Sequence, residues 1–245
     1  MFQRAWQGLK QLAFPDNCAL CRAFLNSSHK KQICGTCRAS IRPNTPPFCR
    51  LCPHRLDAFT PDGICRVCVK TKPSYDAGWS AYMYDDAMRR LLHSFKYGGK
   101  TRLRRTFAEL LKDFIDTYHV PLGRFDFSVP VPLHPARLRE RGFNQSEILC
   151  AFLQEHYGLA CRKNVLARTR LTRPQADLRA KERWTNLEAA FRIDHLGSVA
   201  DKSILVVDDL FTTGATAEAV SAALKDAGAA YAGIMTLAIT DHAHP

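Results

Sequence analysis

Side chains able to do chemistry concentrate in two stretches of this chain. In the first, an apolar run, Ile204-Leu-Val-Val207, leads into Asp208 and Asp209, and Thr212-Thr-Gly-Ala-Thr216 follows closely. Successive backbone N–H groups at the start of a helix, flanked by hydroxyls, make a cup for a phosphate, with the positive end of the helix dipole beneath it. Carboxylates just ahead of such a cup accept hydrogen bonds from vicinal hydroxyls or help to hold a metal ion. A phosphate beside a diol describes a ribose 5-phosphate. The loop lacks the Gly-Lys-Ser/Thr ending of a nucleoside-triphosphate loop, which argues against that ligand. A threonine capping an ordinary helix would explain Thr212 or Thr213, but not the acidic pair before them.

The second stretch is built from thiols. Eight of the ten cysteines form four Cys-x-x-Cys pairs, Cys18/Cys21, Cys34/Cys37, Cys49/Cys52 and Cys65/Cys68. Adding 31 to each of the first four positions gives the last four, so the segment is an internal repeat with twelve residues between the pairs of each half. Two such pairs supply a tetrahedral zinc site. The expected arrangement is two tandem zinc ribbons, Cys18, Cys21, Cys34 and Cys37 on one structural Zn²⁺ and Cys49, Cys52, Cys65 and Cys68 on the other. The spacing alone also permits Cys34/Cys37 to pair with Cys49/Cys52. Disulfides are the competing use of the thiols, but they belong to oxidising compartments. Met1–Phe14 carries Trp6 and Lys10 and no long apolar core, so it does not read as a secretory signal. Phe2, Trp6, Leu9 and Leu12 can line one side of a short helix there. Cys150 and Cys161 stand apart from the repeat, and Cys150 reads as plain core.

For the cup to exist, Ile204–Val207 must be a strand buried on both faces that ends at the acids, with a helix after it. Ala217, Val220, Leu224 and Ala227 recur at helical steps, Gly228 stops the helix, and Gly233–Ile239 makes the next strand. Such a strand–loop–helix–strand unit lies in a parallel sheet. Upstream, Trp79–Tyr84 and Phe125–Val131 read as strands. Asp86–Phe95 reads as a helix ended by Gly98-Gly99, and Leu103, Phe107, Leu110, Leu111, Phe114 and Tyr118 form the stripe of a longer one. His134–Asn144 reads as a loop with three arginines before a helix from Gln145. Arg137 and Arg141 there suit a diphosphate by their forked geometry, and equally suit solvent. The polar stretch Lys70–Ser74 marks a boundary between a unit over 1–74, with the N-terminal helix and ribbons, and one over 75–245.

The stretch Val207–Thr216 resembles the phosphoribosyl-pyrophosphate (PRPP) loop of type I phosphoribosyltransferases. That likeness implies that Asp208 and Asp209 hold ribose hydroxyls, that Thr212, Thr213, Gly214, Ala215 and Thr216 hold the 5-phosphate, and that Mg²⁺ accompanies PRPP. Thr212 stands where hypoxanthine-type enzymes place a basic aspartate, which argues against that kind of purine salvage; orotate-type enzymes also carry Thr there. Phe14-Pro15 before Cys18, Phe95-Lys-Tyr-Gly98, Pro130-Val-Pro132 and Arg141-Gly-Phe-Asn-Gln145 occur in the order found in the ComF family, phosphoribosyltransferase-like proteins linked to DNA uptake in competent bacteria. The resemblance implies an α/β fold, a parallel sheet flanked by helices and preceded by a small zinc-ribbon domain. It makes Lys96, Leu133, Arg137, Arg141 and Arg183 candidates for the pyrophosphate and flap, with Arg168–Arg183 as the flap and Gln175 and Asn186 in keeping with it.

The net charge is +12, and 46% of residues are hydrophobic, enough for a folded core and basic enough to suggest an anionic partner. Seven Lys/Arg and no acid lie between Arg89 and Arg105, and eight Lys/Arg against Asp177 and Glu182 lie between Arg162 and Arg183. Lys100, Arg102, Arg104, Arg105, Arg170 and Arg173, with Phe95, Tyr97, Phe143 and Trp184 interleaved, suit single-stranded DNA. The plainer reading is that these cations serve only the phosphates of PRPP and the solvent. No stretch reaches the length of a membrane span. The expectation is a cytoplasmic protein, reaching a membrane only through partners such as uptake-channel or helicase proteins. A working phosphoribosyltransferase with an unidentified acceptor is the alternative.

Overall fold

A computed structural model describes residues 17–25, 32–56, 60–97, 103–169, 190–194 and 196–240. Four strands form one parallel sheet: β1 (Ala77–Met83), β2 (Phe127–Pro130), β5 (Ser203–Phe211) and β6 (Tyr231–Ile239), in the order β1-β6-β5-β2. A two-stranded antiparallel ribbon, β3 (Leu166–Arg168) and β4 (Phe191–Ile193), stands apart from it. The helices are α1 (Gly35–Ala39), α2 (Arg66–Thr71), α3 (Asp86–Tyr97), α4 (Leu103–Tyr118), α5 (Pro135–Arg141), α6 (Gln145–Tyr157) and α7 (Ala215–Asp226). None of the described helices is long and apolar enough to cross a membrane.

The central strand is apolar on both faces because each face carries its own core. Leu205 and Val207 pack with α3, α4 and α6, while Ile204 and Val206 pack with Val220 and Leu224 of α7. Alternate residues of a strand point to opposite faces, so a run of four apolar residues serves both. On α4, Leu103, Phe107, Leu110, Leu111 and Phe114 are buried as the stripe requires, each contributing about 1.5–3 kcal/mol of burial. α3 starts at Asp86 as expected, and Asp85 just before it caps the helix, its Oδ1 accepting from the Met88 N–H at 2.9 Å.

Two elements differ from the sequence reading. β5 does not end at the acids: on the β2 side pairing stops at Val207, but on the β6 side it runs on through Asp208↔Thr236 to Phe211↔Ile239. The residues expected as an arginine loop contain the helix α5. His134 caps it by accepting from the Ala136 N–H, Pro135 occupies its first turn and Gly142 closes it at φ 78°. Proline at the start and glycine past the end are a helix's own punctuation. Cys150 and Cys161 lie outside both cysteine sets, and Cys150 is core as expected. Cys161 sits beside β2 through its bridge to Ser128, and Ser128 Oγ lies 3.0 Å from Cys150 Sγ.

The two cysteine repeats pack on opposite faces of the sheet. Cys18, Leu25, Ile33 and Ile41 join the α3–α4–α6 core, whereas Cys49, Cys52, Cys65 and Cys68 join the α7 core. Between them the chain binds to β1: Asn44 N–H donates to Ala81 O at 3.0 Å, and its buried Nδ2 donates to Pro53 O and Ser80 O at 2.9 and 3.1 Å. Phe48 stands edge-on to Tyr118, and Arg38 pairs with Asp113. Gly78 of β1 permits this approach, because a Cβ there would lie 2.8 Å from Pro53 Cδ and 3.2 Å from Cys52 Cα. The Gly78→Ala variant is accordingly expected to lose about 1–3 kcal/mol in urea unfolding, the usual cost of overpacking. Wild-type stability in that variant would mean the second repeat sits less tightly on β1.

Candidate functional site

At the far end of β5 the backbone passes from strand to helix within a few residues. Gly214 is the N-cap of α7 at φ 80°, and a Cβ there would lie 3.0 Å from Phe211 Cζ, so both conformation and space call for glycine. Among the described residues no side chain caps α7; Thr213 Oγ1 reaches the Ala215 N–H only at a marginal 3.5 Å. By contrast, α5 and α6 are capped by their own His134 and Asn144. The start of α7 is thus left for an outside acceptor, as an anion site requires. Thr212, Gly214 and Thr216 line a small cavity together with Asp208, Phe211 and Thr236.

The two acids have different partners. Asp208 Oδ1 accepts from Ser146 Oγ at 3.0 Å and from the Asp209 N–H at 2.8 Å. Burial, reinforced by the charge of Asp209, pushes its carboxyl up to about 7. Asp209 is buried and forms an ion pair with Lys96 Nζ at 2.5 Å. Burial opposes the charge on Lys96, but the Asp209 carboxylate outweighs it and raises the lysine above its ordinary value. Helix α3 places Lys96 there: Phe95, its neighbour, is locked in the core against Phe107 and Phe143.

The Arg-Gly-Phe-Asn-Gln stretch is a joint. Asn144 caps α6 by accepting from the Ser146 N–H and donates through Nδ2 to Val131 O, both at 3.0 Å. This ties the start of α6 to the Pro-Val-Pro strand end and delivers Ser146 to Asp208. Arg141 Nη1 donates to Gln145 Oε1 at 2.8 Å, and the buried Gln145 Nε2 has no hydrogen-bond partner among the described residues. Arg168 of β3 is brought to the same place. Burial lowers its pKa, the nearby Asp208 raises it, and Arg137 opposes it in turn. The acidic pair is met by Lys96 and Arg168, with Arg141 near the first and Arg137 near the second, a surplus of positive charge suited to a polyanion.

The eight repeat cysteines form the two expected sets, Cys18/Cys21/Cys34/Cys37 and Cys49/Cys52/Cys65/Cys68, with all sulfurs of a set within 4.8 Å of one another. A tetrahedron with Zn–S bonds of about 2.3 Å has edges of about 3.8 Å. The Cys21–Cys34 and Cys52–Cys65 separations are 3.7 and 3.6 Å, already the edge length of a zinc tetrahedron. Backbone N–H groups of Cys34 and Cys65 donate to Cys18 and Cys49 sulfurs, each at 3.3 Å, which favours the thiolate. The alternative pairing across the halves is not the one adopted.

Comparison with known proteins extends this geometry. The double zinc ribbon domain family matches residues 9–71. The DNA utilization protein YhgH of Salmonella typhi is 33% identical over 89% of this chain and 95% of its own length. Competence protein F of Haemophilus influenzae is 29% identical over 88% and 93%, and competence protein ComFC of Bacillus subtilis 28% over 85% and 84%. This chain belongs to the ComF family. Its N-terminal part is accordingly a double zinc ribbon, and its remaining described residues are a parallel α/β sheet flanked by helices.

Within this ComF-family chain the structure draws Lys96, Asp208, Asp209, Arg137, Arg141 and the 212–216 loop together, with Leu133 in the turn between β2 and α5. Ser146 and Arg168 were missed as partners of Asp208; only the fold brings them there. Phe95, offered above as a stacking surface, is 1% exposed and cannot meet a base, and Phe143 is half-buried against it. Arg104 and Arg105 are exposed at the start of α4. Lys100, Arg102, Arg170, Arg173, Gln175, Arg183, Trp184, Asn186, the Tyr97 side chain and the N-terminal helix lie outside the described residues.

Proposed function

We propose that this chain binds PRPP or a related sugar phosphate with Mg²⁺ at the end of β5, and serves natural transformation by handling incoming single-stranded DNA in the cytoplasm. The observation that carries the ligand reading is the Asp208–Asp209 pair set beside an α7 N-terminus that no described side chain caps. In this reading the acids take the ribose hydroxyls, the 212–216 loop takes the 5-phosphate, and Lys96, Arg137 and Arg141 face the pyrophosphate. Apart from the two cysteine sets, no cluster among the described residues brings three Cys, His or carboxylate ligands together. Mg²⁺ would therefore arrive on the pyrophosphate, with at most the acidic pair completing its shell, as is usual for this ion. The DNA reading rests on the basic composition and on relatives named for competence and DNA utilization.

Calorimetry with PRPP and Mg²⁺ tests the first half. Wild type is expected to bind, and the Asp208→Asn, Asp209→Asn double variant to bind at least about tenfold more weakly through loss of charge-assisted hydrogen bonds. Equal affinity for the two proteins would remove the reading. Fluorescence anisotropy with a labelled single strand tests the second half: affinity should fall steeply between low and physiological salt, and absence of binding at low salt would exclude it. The alternative is a transferase with an unidentified acceptor, favoured by the buried Asp208 carboxyl that lines the cavity beside the loop and that burial pushes up to about 7. Pyrophosphate release across a panel of nucleobases and amines decides that reading, and silence across the panel counts against it.

A further inference from the structure

The second cysteine centre is physically joined to the 211–216 loop. His54 Nδ1 lies 3.4 Å from Cys52 Sγ, and since a metal-bound thiolate only accepts, the imidazole donates there. The same ring stands edge-on to Phe211, centroids 5.5 Å apart at 82°. Phe211 in turn closes the space beside Gly214, where a Cβ would lie 3.0 Å from Phe211 Cζ and 3.5 Å from Tyr75 Oη. Tyr75 stands edge-on to Phe211 from another direction, centroids 6.4 Å apart. Ser74, just before it, donates its N–H and hydroxyl to the two oxygens of Glu218 in the first turn of α7, at 2.8 and 2.6 Å. All four cysteines of this centre share one buried cluster with Tyr75, Phe211, Ala215 and Ala217. Cys18 of the first centre belongs to the other face, with Ile33, Ile41 and the α3–α4 core.

We infer that the second zinc centre sets the shape of the 211–216 loop through His54 and Phe211, so that occupancy of that centre, and not of the first, governs affinity for the phosphorylated ligand. The inference rests on the reading of the loop as a phosphate cup. His54 is a positioning residue: Cys52 fixes its ring, the ring fixes Phe211, and Phe211 holds Gly214 in the left-handed turn that opens α7. Zinc fixes Cys52 by holding it to three other sulfurs, whereas the first centre has no such chain of contacts among the described residues.

The test compares full-length, zinc-loaded wild type with His54→Ala, His54→Phe, Cys21→Ser and Cys65→Ser. Zinc content is measured by elemental analysis, PRPP·Mg²⁺ affinity by calorimetry and amide exchange of residues 212–216 by mass spectrometry. His54→Ala should keep both ions yet lose about three- to tenfold in affinity, the range of one lost aromatic contact, with faster exchange in the loop. His54→Phe, which keeps a ring against Phe211 but cannot donate to Cys52 Sγ, should leave loop protection between that of wild type and that of His54→Ala, and full wild-type protection in it would cut the link to the zinc centre. Cys65→Ser should lose one ion and weaken binding, whereas Cys21→Ser should lose one ion and bind within about twofold of wild type. Unchanged loop exchange in His54→Ala, or equal weakening by Cys21→Ser and Cys65→Ser, overturns the coupling. Should wild type fail to bind PRPP, the ligand reading falls, and the exchange comparison, which needs no ligand, still decides the coupling.

Discussion

Replacing Asp208 by asparagine is expected to stabilise the protein at pH 8 while weakening its ligand site. In the unfolded chain this carboxyl titrates near 3.8, and in the fold burial and the charge of Asp209 carry it up to about 7. Between those values the native state binds more protons than the unfolded state, so the group's contribution to stability falls as pH rises through the window. Below about pH 4 the carboxyl is neutral in both states and costs nothing; above 7 the full penalty is present. Three pH units would correspond to about 4 kcal/mol for an isolated group. The Ser146 hydroxyl, the Asp209 N–H and Lys96 share the burden, so about 1–3 kcal/mol is expected from the substitution. An asparagine oxygen can still accept from Ser146 and from the Asp209 N–H. For a chain of this size the gain appears as a melting temperature several degrees higher at pH 8, with little difference at pH 4. A variant less stable than wild type at pH 8 would mean that Asp208 is held by its partners rather than strained by burial. A stabilising change that damages binding is the expected signature of a functional site.

The parts of this fold that the sequence made legible are those with a period or a fixed spacing. The α4 stripe, the buried β5 run, the start and stop of α7 and the composition of both cysteine centres follow from periodicity or from metal-ligand spacing, and each is local. The misreadings have local causes too. His134-Pro-Ala…Gly142 carries a complete set of helix signals, and its density of arginine hid them. β5 extends beyond the acids because β6 offers partners as far as Ile239, which no pattern within β5 announces. The site's deeper connections were not legible. Ser146 to Asp208 spans 62 positions, and Lys96 to Asp209 spans more than a hundred. Such contacts are set by which strand ends lie side by side in the order β1-β6-β5-β2, and that order is a property of the whole chain. Phe95 shows the opposite error: its spacing beside lysines suggested a stacking face, yet the same residue completes the α3 stripe Met88, Leu91, Leu92, Phe95 and is core.

Removal of zinc is expected to proceed in two separate steps, with the larger loss of stability in the second. Cys49, Cys52, Cys65 and Cys68 are all buried, whereas in the first centre Cys21 is exposed and Cys34 and Cys37 are half-buried. A chelator that needs access to sulfur should strip the first centre from the folded protein, and reach the second only after that part of the chain opens. A chromogenic chelator is therefore expected to report two phases, one ion each, differing by at least about tenfold in rate. Cys21→Ser should abolish the fast phase and leave the slow one. The second step carries more free energy because its cysteines lie in one cluster with Phe127, Val206, Val220 and Ile234. Four unpaired thiolates there would be charges in an apolar face, and four thiols would forfeit the metal bonds that replace a core in so short a segment. Loss of the first ion should lower the melting temperature by a few degrees, and loss of the second by more than about 10 °C, given the several kcal/mol that a structural zinc contributes. Release of both ions in a single phase would show that the ribbons open as one unit, and that their placement on opposite faces of the sheet does not make them independent.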